Sequence, residues 1–297
     1  MQKKITNFAR KFLKKESEDI MSKTKVLFIN TEVTPYLEES RMASIGRRLP
    51  QGIQEAGHEI RTFMPRFGII NERRNQLHEV IRLSGMNLII NETDHPLIIK
   101  VASIQASRMQ VYFIDNDDYF THRNMYGDRK GEYDDNGERC FFFARGVVET
   151  IRKLRWAPDV IYCQGWFAAI APIYIKKHYG DDPCFRNCKI VTALYDNPFK
   201  KMLPSSLAAT IKCEGITKTD LSEIRDKPVS HEMLCKLAIK FSDGVIATDE
   251  GVSKDLLDYA GKLDKKILMA TEEELDIEKY DQFFESFIEQ PQQTEEE

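Results

Sequence analysis

Between Asp115 and Gly137 the sequence gathers Asp115, Asn116, Asp117, Asp118, Asp128, Asp134 and Asp135 around the rings of Tyr119, Phe120, Tyr126 and Tyr133. Two readings of this mixture stand. Acidic loops are commonly just solvated, yet rings set among carboxylates and amides are also what a sugar surface requires. A ring covers the apolar face of a pyranose, and a carboxylate accepts its hydroxyls. Asp135, Asn136 and Arg139 lead into an apolar helical pattern that begins at Phe141. They read equally as a cap and loop-to-helix clamp or as sugar-facing groups. Trp166 opens a segment just past an apolar run, as core packing or as a ligand platform, and Glu32 after an earlier run has the same ambiguity. His58 follows Gly57 at the end of a helical pattern and is read as structural. The six cysteines (Cys140, Cys163, Cys184, Cys188, Cys213, Cys235) include no CxxC pair and no histidine at ligand spacing. Reduced, mostly buried thiols of a cytoplasmic protein are expected, with no metal.

Composition narrows the partners. Of 297 residues, 43 are Lys or Arg and 47 Asp or Glu, a net charge of −4. That balance offers no field for a nucleic-acid backbone. Apolar runs such as Val26 to Ile29 fall far short of the roughly 20 residues a membrane helix needs. Neither nucleic acid nor a transmembrane segment is expected.

The elements that must hold these residues alternate. Lys25 to Asn30 reads as a first buried strand, and Met42, Ile45, Leu49, Ile53 and Ala56 recur at helical spacing up to Gly57, with Pro50 predicting a kink or break. Further strands are expected at Glu59–Met64, Glu79–Leu83, Leu97–Ser103, Met109–Ile114, Val160–Cys163, Ile190–Leu194 and Gly244–Thr248, with Leu97–Ser103 and Met109–Ile114 antiparallel. Helices are expected around Phe141–Leu154, Phe167–His178, His231–Phe241 and Val252–Tyr259. This is the pattern of an α/β domain, a mostly parallel sheet with helices on both faces. Residues 1–22 form a basic extension, either an amphipathic helix or merely upstream sequence; 23–260 form the domain, and 261–297 a helical and polar tail.

In such sheets ligands sit beyond the carboxyl ends of the strands. The first exit, Thr31 to Arg41, contains no glycine, so it cannot bring backbone amides close to a pyrophosphate as a dinucleotide site or P-loop does. Along the chain, Asn30-Thr-Glu-Val-Thr-Pro35, Leu49-Pro50, Ala56-Gly-His58, Met64-Pro-Arg66, Val111-Tyr-Phe-Ile-Asp115, Tyr119-Phe120, Tyr126-Gly-Asp128, Asp135-Asn136-x-x-Arg139, Trp156-x-Pro-Asp-Val160 and Trp166 occur in order. In these motifs the chain resembles the catalytic amino-terminal domain of bacterial glycogen and plastid starch synthases, over roughly Lys23 to Ala260.

The resemblance implies a Rossmann-like domain, one half of a GT-B architecture, in a retaining hexosyltransferase that moves glucose from ADP-glucose to an α-1,4-glucan without metal or cofactor. It implies an α-glucan partner, glycogen or maltooligosaccharide, with Asp115, Tyr119, Tyr126, Asp135, Asn136, Arg139 and Trp166 as glucan-binding candidates. The family's second, nucleotide-binding domain is expected to be absent after residue 260. Three motifs depart from the family. Its Lys-x-Gly-Gly-Leu donor loop aligns with Glu38, Glu39, Ser40, Arg41 and Met42, turning a phosphate cradle acidic and crowded. Its His-x-His-Asp-Trp exit aligns with Tyr162-Cys-Gln-Gly-Trp166, placing Gln164 at the position of the sugar-contacting histidine. Its Thr-Ile-His-Asn exit becomes Thr192-Ala-Leu-Tyr195. The expectation is a degenerate synthase homologue, inactive as an isolated chain; the alternative is a non-catalytic glucan-binding or regulatory partner of a full-length glycogen synthase.

Overall fold

The computed structural model describes residues 23–105 and 107–288. The basic extension expected over 1–22 and the polar end over 290–297 lie outside the described residues. Apolar and β-branched runs form the centre of a sheet: β1 (Lys25–Ile29), β2 (Glu59–Pro65), β9 (Val160–Gln164), β10 (Lys189–Leu194) and β11 (Gly244–Ala247). Successive side chains of a strand point to opposite faces. Since β9 and β11 are buried at every position, both faces of the sheet are covered, which is why these strands read as continuous apolar runs.

With β3 (His78–Glu79), β4 (Met86–Ile90), β5 (Thr93–Ile104), β6 (Met109–Asp115) and β12 (Lys266–Met269), the strand order is β12-β11-β10-β9-β1-β2-β6-β5-β3, with β4 paired to β5, while β7 (Gly127–Asp128) and β8 (Gly131–Glu132) pair separately. Pairing is parallel from β12 through to β6 and antiparallel among β3, β4, β5 and β6. The mostly parallel α/β sheet and the antiparallel β5–β6 pair agree with expectation. The strand expected over Glu79–Leu83 shrinks to two residues at the sheet edge.

Helix α1 (Arg41–Glu55) starts where the Ser40 hydroxyl accepts the Ala43 N–H, 2.9 Å away. It runs on through Pro50 rather than breaking there. Ile45, Leu49, Pro50 and Ile53 are all buried, so packing on either side outweighs the one backbone bond the ring removes. Helix α2 (Asn136–Leu154) lies against β4 and β6. The single helix expected over Phe167–His178 is instead three short turns of different pitch, Trp166–Ala168, Ala171–Ile173 and Tyr174–His178. Helices α3 (His231–Lys240) and α4 (Lys254–Lys262) follow as expected.

The domain is expected to run to residue 260, and the sheet continues past it. Beyond it β12 (Lys266–Met269) continues the parallel sheet beside β11, and α5 (Ile277–Glu285) packs on α1. Phe284 of α5 is 1% exposed and meets the rings of Phe28 and Tyr162 at 6.3 and 6.2 Å. The sheet thus ends in an exposed edge strand, while Tyr280 and Phe284 of α5 are buried in the core. No helix of the described residues is long and apolar enough to cross a membrane.

Because Phe284 closes the core over β1 and β9, Phe284→Ala is expected to cost about 3–5 kcal/mol of stability. Urea denaturation with intrinsic fluorescence checks this; a loss under about 0.5 kcal/mol would return residues 261–288 to the status of a detachable tail.

Candidate functional site

Seven parallel strands deliver their carboxyl ends to one edge of the sheet, and the order reverses between β1 and β9, the place where open α/β sheets form a crevice. Gln164 fills that crevice. Its side chain is fully buried, its Oε1 accepts the N–H groups of Thr31 (2.9 Å) and Glu32 (3.0 Å), and its Nε2 donates to the Met42 carbonyl (3.0 Å). Thr31 returns a bond from its hydroxyl to the Gln164 carbonyl at 2.6 Å. A primary amide suits this place because it accepts and donates at once. Every polar atom of Gln164 is thus spent on the protein, at the position where the resemblance implies a sugar contact.

The neighbouring glycines explain how the segments come so close. A Cβ on Gly46 would run into the Glu32 carbonyl, so α1 and the β1 exit loop touch only because this residue has no side chain. Gly165 has φ 66° and ψ −174°, a backbone open in practice only to glycine, and a Cβ there would lie 2.9 Å from Cε of Met42. The family aspartate aligned with Gly165 has no room in this backbone.

Arg41 seals the other side. Its Nε donates to the Thr248 carbonyl (2.9 Å), its Nη2 to the carbonyls of Glu272 (2.8 Å) and Ala270 (3.3 Å), and Nε lies 3.0 Å from Asp249 Oδ1. One guanidinium therefore ties the start of α1 to the exits of β11 and β12. Glu38 and Glu39 face solvent, and Met42 is buried against Gly165. Ser40 caps α1 and donates to Glu32 Oε2 at 2.7 Å, while Tyr126 donates to Glu32 Oε1 at 2.8 Å. Burial and then the Glu32 charge push the Tyr126 phenol well above its ordinary range, so it stays a donor. Arg41, expected as a diverged donor-loop position, and Glu32, whose role the sequence left open, are thus the organisers of this edge.

The glucan-binding candidates divide. Asp115 is fully buried, held by the Lys100 ammonium at 2.7 Å and the Thr121 hydroxyl at 3.1 Å. Tyr119 is buried and donates to Glu138 at 3.0 Å. Asn136 donates to the Tyr126 carbonyl and accepts from Arg139. Arg139, fully buried, gathers the carbonyls of Tyr119, Met125 and Asn124 at 2.8, 2.7 and 3.1 Å, with its guanidinium near the rings of Phe67, Phe120 and Phe167. Burial lowers its pKa to about 10. Of the two readings open for Arg139 the clamp is the one realised: it folds the acidic-aromatic loop onto α2. Trp166, 2% exposed, packs between Phe199 and Tyr126 at ring distances of 4.9 and 5.0 Å. Asp115, Tyr119, Asn136, Arg139 and Trp166, expected to face a glucan, are all buried, and the hydrogen bonds of the first four run to the protein itself. Tyr126 and Asp135 keep accessible surface; Asp135 pairs with Arg123 at 2.8 Å. The β10 exit adds Asn197, whose Oδ1 is buried without a hydrogen-bond partner.

Residues 25–268 match the family model described as the starch synthase catalytic domain. The chain belongs to that family. It is 35% identical over 202 residues to a glycogen synthase of Chlorobium phaeovibrioides, covering 64% of this chain and 41% of the relative. It is 30% identical over 236 residues to that of Chlorobaculum tepidum, covering 79% and 47%. The chain thus spans less than half the length of these curated relatives. The catalytic domain of Starch Synthase IV from Arabidopsis thaliana, a structure bound to ADP and acarbose, superposes with a TM-score of 0.69 at 17% identity, over 84% of this chain and 52% of that one. That likeness is one of fold, and it extends over one half of the two-domain architecture.

Gln164→Ala would leave the buried N–H groups of Thr31 and Glu32 unpaired, at about 1–3 kcal/mol each. The expected loss, read by urea denaturation, is about 2–5 kcal/mol. Gly165→Asp, which restores the family residue, is expected to destabilise by about 1–3 kcal/mol through backbone strain.

Proposed function

We propose that this glycogen/starch synthase domain is degenerate in its donor loop and does not by itself transfer glucose from ADP-glucose to an α-1,4-glucan. Arg41 is the observation that carries this reading. Where the family pattern has the second glycine of a phosphate-cradling loop, this chain has a guanidinium already engaged by three carbonyls and Asp249. A bound diphosphate would need backbone amides free of side chains and a surplus of positive charge. Here the cation is neutralised from within, and Glu38 and Glu39 add repulsion.

Gln164 supports the same conclusion. Transfer needs groups preorganised toward the reacting sugar, and a buried amide with all its bonds made inside the protein is unavailable for that. Calorimetry of the chain with ADP-glucose is expected to give no saturable binding below the millimolar range, and radiolabelled ADP-glucose with glycogen no incorporation above a blank. Micromolar affinity, or incorporation abolished by Gln164→Ala in a still-folded protein, would sink the reading. The triple change Glu38→Lys, Ser40→Gly, Arg41→Gly is expected to lower stability by about 1–3 kcal/mol, through the lost cap and the freed carbonyls, with at most a slight gain in donor affinity.

A second reading, a glucan-binding or regulatory partner of a complete glycogen synthase, is favoured by Tyr126 and Asp135, the accessible pair at the strand-exit edge. A half-buried ring and a half-buried carboxylate at this edge would give modest sugar affinity, on the order of millimolar to tens of micromolar. Retention on glycogen is expected to fall several-fold in Tyr126→Ala/Asp135→Ala, compared with the unaltered chain at a temperature where circular dichroism shows both folded. Retention equal to that of an unrelated protein removes this reading, and stimulation of an added complete synthase strengthens it.

A further inference from the structure

At the opposite end of the sheet from the strand exits, where β1 and β2 begin, three residues distant in sequence converge. His58 lies in the turn between α1 and β2, and Asp281 and Glu285 stand one helical turn apart on α5. His58 Nε2 is 2.9 Å from Asp281 Oδ1, and His58 Nδ1 is 3.8 Å from Glu285 Oε1. One ligand atom from each residue can be chosen so that all lie within 4.8 Å of one another. Thr24, just ahead of β1, donates its hydroxyl to the same Glu285 oxygen at 2.8 Å. All three side chains are partly shielded from solvent.

An imidazole–carboxylate ion pair accounts for only part of this arrangement. It uses one ring nitrogen, while Nδ1 of His58 is sealed from solvent and has no hydrogen-bond partner. A buried unpaired ring nitrogen is unfavourable. An ion bound at Nδ1 would give that nitrogen a partner and draw both carboxylates toward it.

We infer that His58, Asp281 and Glu285 form a site for a divalent transition ion of the zinc or cobalt class. Bonds of about 2 Å in a tetrahedral site hold ligand atoms roughly 3.3 Å apart; one ligand atom from each of the three residues lies within 4.8 Å of the others, so closure needs modest side-chain movements. Imidazole with carboxylate oxygens favours zinc, cobalt or nickel over calcium and magnesium, which take oxygen ligands. A bound ion would tie α5 to the amino ends of β1 and β2, far from the strand-exit edge. Its role is to hold the last helix on the domain, and it is independent of any transfer chemistry.

The test uses the full chain stripped with a chelator. Zinc titrated by calorimetry is expected to bind at one equivalent with micromolar or tighter affinity and to raise Tm by a few degrees. Cobalt is expected to give visible d–d absorption in the same stoichiometry. His58→Ala, which also removes the ion pair, and the near-isosteric Glu285→Gln are each expected to weaken zinc binding tenfold or more. Both keep all six free cysteines, so thiol binding would persist in them. Absence of stoichiometric binding leaves a plain ion pair and overturns the proposal. Zinc affinity retained in either variant assigns the metal elsewhere and overturns it equally.

Discussion

The place where a parallel sheet reverses its winding leaves two neighbouring strand ends diverging, with backbone amides pointing into the gap between them. In an enzyme of this architecture that gap is where a ligand goes. Here the amides of Thr31 and Glu32 are taken by a side chain from the adjacent strand, and the same side chain reaches the first turn of α1. The geometry of the whole edge depends on that closure. Gly46 can approach Glu32, Ser40 can bond to Glu32 while capping α1, and Tyr126 can lean over to the same carboxylate only because the β1 exit is held in one position.

Two arginines show how one residue type can do different work under similar constraints. Arg139 is fully buried and Arg41 partly exposed, yet each gathers three backbone carbonyls that would otherwise lack donors. A planar guanidinium with five donors suits such a task better than an ammonium. Arg139 makes the acidic-aromatic loop rigid, and that rigidity places Tyr126 and Asp135 at the rim. Arg41 closes the edge at which the family pattern would leave an opening.

Much of the architecture was legible because buried parallel strands carry an unambiguous signal: Val26 to Ile29, Val160 to Cys163 and Val245 to Ala247 are apolar on both faces. β12 was not legible. Lys265 and Lys266 introduce it, and as an edge strand it exposes Ile267 and Met269, so its composition resembles a tail. The turns after Trp166 look like one helix in periodicity, and tertiary packing divides them. At the site, the sequence located the strand exits and the departures from the family pattern. It could not tell that Asp115 and Arg139 turn inward, since charged residues are seldom fully buried, and the carbonyls that make burial tolerable belong to a loop whose path no local pattern reveals.

The covering of β1 by α5 has a consequence for how the molecule comes into being. On the ribosome the first strand appears early, but its partner β9 follows more than a hundred residues later, and the ring of Phe284 that shields it comes at the far end of the described fold. Contacts so distant along the chain must wait for their loop closures and form slowly. During synthesis Phe28 and its neighbours are therefore uncovered apolar surface, of the kind that holding chaperones recognise. The domain becomes a cooperative unit only when its last helix is free to dock.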